Sequence, residues 1–91
     1  MSLIHSCWAL DAEGLRPASK LVLILAANAC DQDGRLFEPF EPLAARANLI
    51  REGLDLAVAE LTEAGLAAYS IAEDPETGSQ RPCVQLMMAE A

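Results

Sequence analysis

Residues 50–72 read IREGLDLAVAELTEAGLAAYSIA, and this stretch decides the fold class. Four apolar residues in it have the i, i+3, i+4, i+7 spacing of one buried helix stripe: Leu54, Ala57, Val58 and Leu61. Gly65 marks the end of that helix, because glycine adopts the backbone geometry of a helix terminus without strain. Residues 66–72 contain Tyr69 and Ile71, which are typical of a β-strand. The stretch therefore predicts a helix that begins at Ile50 or Arg51 and is followed directly by a strand.

The segment after this strand predicts a hairpin. Residues 83–88 again have a strand-like composition, and they follow a polar segment, residues 73–82, that contains proline, glycine and serine. We therefore expect a C-terminal wing hairpin over residues 66–88 with a long polar tip.

Upstream, the pattern predicts two further helices and a short strand. Pro17 suits the first turn of a helix, and the nearly apolar run from Leu21 to Cys30 forms its body. Residues 31–34, DQDG, favour a turn, and residues 35–37 are long enough for a very short strand. A second, short helix begins around Pro39 to Pro42 and carries residues 43–47, because proline is tolerated near a helix start. Residues 48 and 49 separate it from the third helix.

Residues 1–15 have a mixed pattern that predicts either a short strand or an irregular N-terminal arm. Its apolar residues are Ile4, Trp8, Leu10 and Leu15. With 91 residues in total, the chain is expected to form a single domain over residues 1–91.

The composition restricts the classes of partner. The chain is 53% hydrophobic, and 6 basic against 14 acidic residues give a formal net charge of −8, which repels polyanions. The three cysteines form no C-x-x-C pair, and His5 is the only histidine, so no disulfide framework or zinc site is expected. No segment has the roughly 20 apolar residues of a membrane span. These features predict a cytoplasmic protein that does not insert into a membrane.

The predicted order is helix, short strand, helix, turn, helix and hairpin, which is the order of a winged helix-turn-helix. The expected fold is therefore α+β, with three helices and a small antiparallel sheet. Several phrases carry a further resemblance over roughly residues 8–72: WAL at 8–10, GLRP at 14–17, KLVLILA at 20–26, DGRLF at 33–37, LA at 43–44 and AVAELTEAGL at 57–66. In these phrases the chain resembles the winged-helix domains of phage replication-initiation proteins and of related phage or plasmid regulators.

The resemblance implies a DNA-binding regulator or a replication-associated module that acts on double-stranded DNA. The third helix, Arg51 to Ala64, would enter the major groove, and the hairpin would touch the flanking backbone. The candidate DNA-contacting residues are the arginines Arg35, Arg46, Arg51 and Arg81, of which Arg46 and Arg51 lead.

The charges favour a second hypothesis, a protein-binding module. The acidic residues Glu52, Asp55, Glu73, Asp74 and Glu76 would form a face that docks on a basic protein, such as a host nucleic-acid-binding protein inhibited by mimicry of DNA. Arg51 lies four residues before Asp55, so the two can pair along the helix and weaken any phosphate contact. Homodimerisation, with Trp8 in the interface, is a further expectation.

The sequence gives no support for an enzyme, and we expect no metal and no cofactor. Residues 31–34 resemble a calcium loop only in part, because the glycine comes two positions too early. His5 and Cys7 have no third partner or oxyanion donor that would make them a base and a nucleophile.

Overall fold

The structure, a computed structural model, describes residues 3–37 and 40–88. These residues form four helices and three strands in the order α1 (Leu3–Asp11), α2 (Pro17–Ala29), β1 (Arg35–Phe37), α3 (Glu41–Arg46), α4 (Arg51–Glu63), β2 (Ala67–Glu73) and β3 (Gln80–Leu86). The strands form one antiparallel sheet with the order β1-β3-β2. The chain is therefore a small α+β domain, as predicted, with one helix more than expected within the described residues.

The extra helix is α1, which replaces the strand or irregular arm predicted for residues 1–15. Its residues His5 and Ala9 are buried, and the helix packs against α2. Lys20, on α2, donates from Nζ to the carbonyl oxygen of Leu10 at 2.8 Å and also to that of Ala12. Because the last carbonyls of a helix have no partner within it, this ammonium group stabilises the end of α1.

Helix α2 begins with Pro17 in its first turn, as predicted. It forms a core with α3, α4 and one face of the sheet, and the largest fully buried side chains include Leu23, Phe40, Leu54 and Leu61. Helices α2 and α4 have 13 residues each, and none of the helices within the described residues is both long and apolar enough to cross a bilayer.

The turn predicted at residues 31–34 is confirmed. Asp31 accepts through Oδ1 from the backbone N–H groups of Asp33 at 2.9 Å and Arg35 at 3.0 Å. Gly34 has a φ of +77° and lies close to His5 and to the sheet. Its carbonyl oxygen accepts from the N–H of Leu86 at 2.7 Å, so the glycine extends the pairing of β1 with β3 by one residue.

Helices α3 and α4 are joined by a tight turn at the predicted position. Asn48 has a φ of +56°, a left-handed conformation that asparagine tolerates better than most residues. The N–H of Leu49 donates to the carbonyl oxygen of Ala44 at 2.8 Å. Pro39, one bound of the predicted start of α3, lies outside the described residues.

The hairpin is confirmed, but its tip is shorter than predicted. The strand register joins Glu73 to Gln80 and Ile71 to Pro82, so residues predicted to lie in the loop belong to the strands. The remaining turn contains residues 74–79. The N–H of Asp74 donates to the carbonyl oxygen of Ser79 at 2.9 Å, and this bond closes the turn.

Candidate functional site

Helix α4 is the surface element on which both hypotheses depend. Its predicted buried stripe is confirmed, because Leu54, Ala57, Val58 and Leu61 are all buried. Since successive residues turn by about 100° around a helix, the opposite side forms an outward stripe. Seven exposed residues make up this stripe: Arg51, Glu52, Asp55, Leu56, Ala59, Thr62 and Glu63. The stripe therefore carries three carboxylates, one guanidinium group and a leucine that is 73% exposed.

At the start of α4, four side chains contact one another and form what we call the Arg51 cluster: Phe40, Arg51, Asp55 and Tyr69. The Nε of Arg51 donates to Oδ1 of Asp55 at 3.2 Å, which confirms the predicted pairing along the helix. Its guanidinium carbon also lies 5.3 Å from the centre of the Phe40 ring, a cation–π contact. Arg51 is therefore engaged within its own chain on two sides.

Tyr69, on β2, links the strand to this cluster. Its hydroxyl donates to Oδ1 of Asp55 at 2.7 Å, and its ring centre lies 6.1 Å from that of Phe40. The hydrogen bond from Tyr69, followed by that from Arg51, lowers the pKa of Asp55. Partial burial, followed by the hydrogen bond to Asp55, raises the pKa of Tyr69 to about 12. Asp55 is thus kept ionised, and Tyr69 is kept protonated.

The single tyrosine of the chain makes this arrangement measurable. We expect tyrosinate absorbance to rise with a midpoint near pH 12, because the hydroxyl is half-buried and bonded to a carboxylate. Asp55→Asn should lower this pKa toward the ordinary value of about 10 without reaching it, because burial remains. Since the folded-state pKa is raised, this contribution to stability is present below about pH 10 and is lost as the pH rises through about 12.

Far-UV circular dichroism followed in parallel separates titration of the folded protein from alkaline unfolding. A midpoint near pH 10 in the folded wild type would contradict the contact between Tyr69 and Asp55.

The other three candidate arginines do not join Arg51 in one basic patch. Arg35, on β1, donates from Nε to Oε1 of Gln85 at 3.1 Å and lies 3.8 Å from Asp33. Arg81, on β3, donates to Oδ2 of Asp74 at 2.5 Å. Both arginines line a cavity whose wall also includes Asp31 and Asp74, and Arg46 lines a separate cavity. Arg35 and Arg81 thus line the same cavity, but the carboxylates of Asp31 and Asp74 line it too, so this cavity is not a basic patch.

Asp74, one of the five residues of the proposed acidic face, is buried. Asp74 is only 4% exposed, because its carboxylate accepts from Arg81 and, at 2.9 Å, from the N–H of Glu76. It holds the hairpin turn and is not available for docking. Glu73 and Glu76 are exposed on either side of it, and Glu52 is exposed on α4. Four of the five proposed acidic residues are therefore exposed, and Asp74 is a structural residue of the hairpin turn.

Two further cations, Arg16 and Lys20, connect helices. The backbone N–H of Arg16 donates to Oε1 of Glu60 at 3.0 Å, and its guanidinium lies 3.2 Å from Oε2. The bond from this N–H, followed by one from Ser19, lowers the pKa of Glu60. Lys20 binds the end of α1, as described above. Because Arg16 and Glu60 are 44 residues apart, no local pattern could have predicted their pairing.

Comparisons with known proteins and structures identify no relative of this chain. No protein-family model, no curated protein and no solved structure matches the chain. Among residues 3–37 and 40–88, no group of three or more His, Cys, Asp or Glu side chains is placed to hold a metal ion.

Proposed function

We propose that this chain is a winged helix-turn-helix domain of the type found in phage replication-initiation proteins and in phage or plasmid regulators. Three features support this: the order of the elements from α2 onward, the antiparallel strand order β1-β3-β2, and the tight turn that joins α3 to α4. In such a domain α4 is the recognition helix and the β2–β3 hairpin is the wing. The outward stripe of α4 is then the primary binding surface.

We propose further that this surface binds a basic protein partner in preference to DNA. The observation that carries this proposal is the pairing of the cations. Of the six Lys and Arg side chains, five are bound by groups of their own chain within the described residues: Arg16, Lys20, Arg35, Arg51 and Arg81. Phosphate contacts supply most of the affinity of a protein for DNA, and at each of these cations a phosphate would have to compete with a group of the chain that is already bound.

The chemistry of the outward stripe fits a protein better than a nucleic acid. Glu52 and Glu63 are exposed, and Leu56 and Ala59 lie between them on the same side of α4. Carboxylates beside an apolar side chain can receive cations and apolar groups together, an arrangement typical of a protein interface. A basic protein that normally binds nucleic acid is the class of partner that this combination suits.

The test is a titration of a labelled oligolysine peptide with the protein, followed by fluorescence anisotropy. The wild type is compared with two variants, each of which reverses the charge of two carboxylates. We expect Glu52→Lys/Glu63→Lys to weaken binding by about tenfold or more, the equivalent of about 1.4 kcal/mol. The control is Asp11→Lys/Glu13→Lys, which makes the same change of net charge at exposed residues near the end of α1. Equal losses in both variants would show attraction by net charge alone, and the α4 surface would then be rejected.

DNA binding is the second candidate function. It is favoured by the resemblance and by Arg46, an exposed side chain with no carboxylate within 4 Å among the residues that the structure describes. The same titration with duplex DNA at low salt distinguishes the candidates. We expect no binding at protein concentrations up to roughly 100 μM, the weak limit for ordinary non-specific binders. Saturable binding with a salt dependence that Arg46→Ala or Arg51→Ala reduces would establish DNA binding instead.

A further inference from the structure

Strand β2 has a free edge. It is an outer strand, because β3 lies in the middle of the sheet. Two bonds define which residues face β3: Leu66 accepts from the N–H of Met87 at 2.8 Å, and Asp74 donates to Ser79 at 2.9 Å. The backbone N–H and C=O groups of successive residues in an antiparallel strand point alternately to its two sides. The backbone groups of residues 66, 68, 70, 72 and 74 therefore point toward β3. The N–H and C=O groups of Ala67, Tyr69, Ile71 and Glu73 therefore point away from the sheet.

Nothing within residues 3–37 and 40–88 pairs with this edge through a backbone hydrogen bond. Protein sheets usually protect such an edge with lysine, proline, a bulge or a covering loop. Here residues 67–72, AAYSIA, contain no charged residue and no proline. Tyr69 is 48% exposed and Ile71 is 68% exposed. An edge of this composition is suited to pairing with another strand.

We propose that two copies of the chain associate by antiparallel pairing of β2 with β2 around a two-fold axis at Ser70. In this register Ala67 lies opposite Glu73 of the second copy, and Tyr69 lies opposite Ile71. The unpaired backbone N–H and C=O groups of these residues can therefore all form hydrogen bonds across the axis. Tyr69 meets Ile71 of the second copy, and aromatic and β-branched side chains are favourable cross-strand pairs. The result is a continuous six-stranded sheet.

The strand residues at this edge place no charge that would oppose a second copy. Glu73 lies opposite Ala67 of the second copy, so no like charges face each other across the axis. The formal charge of −8 on each chain opposes association in general, and the copies therefore meet best along an uncharged segment. Because salt screens that repulsion, the dimer should become tighter as ionic strength rises. This proposal does not depend on which macromolecule α4 binds.

Disulfide trapping tests the register. Directly opposed residues in a non-hydrogen-bonded antiparallel pair have Cα atoms about 4.5 Å apart, within the usual span of a disulfide. The Ser70→Cys variant also carries Cys7→Ser and Cys83→Ala, which remove two competing thiols. Cys7 is exposed, and Cys83 lies opposite residue 70 in the hairpin, where it could form a disulfide within one chain. We expect oxidised glutathione to convert most of this variant to a covalent dimer.

The matched control is Ala68→Cys in the same background, since the two copies of residue 68 would be about 14 Å apart along the strands. Equal trapping of the two variants, or no trapping of Ser70→Cys, would overturn the register and the axis.

Sedimentation of the chain without added cysteines tests the dimer itself. We expect the wild type to dimerise, Ile71→Lys to be monomeric, and Ile50→Lys to remain dimeric. Ile50 is 72% exposed on another part of the surface, so the two substitutions add the same charge at an exposed isoleucine. A second variant, Ile71→Pro, removes an N–H that faces outward and leaves the bonds to β3 in place. A monomeric wild type at high salt, or a dimer unaffected by either change at residue 71, would refute the proposal.

Discussion

Replacement of Leu54 by alanine is expected to reduce the free energy of unfolding by about 3 kcal/mol, because deletion of a buried leucine side chain leaves a cavity. Leu54 is 1% exposed and belongs to the core that α4 forms with α2 and the sheet. A domain of this size has only about 5–10 kcal/mol of stability. The variant should therefore remain folded at room temperature but unfold at a much lower urea concentration, measured by far-UV circular dichroism.

The control is Leu56→Ala, the same substitution two residues further along α4 on the outward stripe. Any gain in helix propensity from alanine is similar at both positions, so the difference between the variants measures burial. Because Leu56 is 73% exposed, we expect its replacement to change the free energy of unfolding by less than about 0.5 kcal/mol. Similar losses in the two variants would mean that the outward stripe of α4 is itself packed in a core or an interface.

The second large effect is expected for Gly34→Ala, which should cost about 2–4 kcal/mol of stability through backbone strain and overpacking. Gly34 has a φ of +77°, where a Cβ is unfavourable. An added Cβ would also lie 2.8 Å from Nε2 of His5 and 3.2 Å from the carbonyl oxygen of Leu86. The His5 ring would have to shift, and the tight contact with Leu86 would remain, because that oxygen belongs to the backbone of β3.

Gly65→Ala provides the comparison at a matched backbone angle. Gly65 has a φ of +76°, but a Cβ there meets no atom within 4 Å, so only the backbone cost of about 1–2 kcal/mol applies. The difference between the two variants in the free energy of unfolding, measured with urea, reports the cost of the close contacts of Gly34 with His5 and with the backbone of β3. If Gly34→Ala were as mild as Gly65→Ala, neither His5 nor the Leu86 carbonyl would be packed tightly against Gly34.

Most of the fold could be predicted because its signals are local. The stripe that includes Leu54 and Leu61 repeats with the helix period, and Pro17 and Gly65 mark helix ends. Each of these signals depends on residues within one or two turns of the chain, and the structure contains the elements they predict.

The errors lie where distant residues decide the structure. Helix α1 depends on packing against α2 and on the ammonium group of Lys20, neither of which is visible in residues 3–11. The sequence predicts too long a hairpin tip, because Pro82 is a residue typical of loops, whereas it lies in β3 opposite Ile71. In the observed register the backbone nitrogen of Pro82 faces away from β2, so the proline removes no bond of the hairpin.

In the candidate site, too, local contacts could be predicted from the sequence and contacts between distant residues could not. The pair of Arg51 and Asp55 could be predicted, because residues four apart are neighbours on a helix. The burial of Asp74 beside Arg81 could not, because it requires the hairpin turn to close first. Likewise, the link from Tyr69 to Asp55 joins a strand to a helix through tertiary packing.

The position of β3 between β1 and β2 has a consequence for the synthesis of the chain. Within the described residues, β3 is the only strand that pairs with either outer strand, although both outer strands precede it in the sequence. A growing polypeptide therefore carries two unpaired strands, including the apolar residues of their inner faces, until residues 80–86 have emerged from the ribosome. Protection of β1 and β2 from proteases is therefore expected only after β3 has been synthesised and has paired with both.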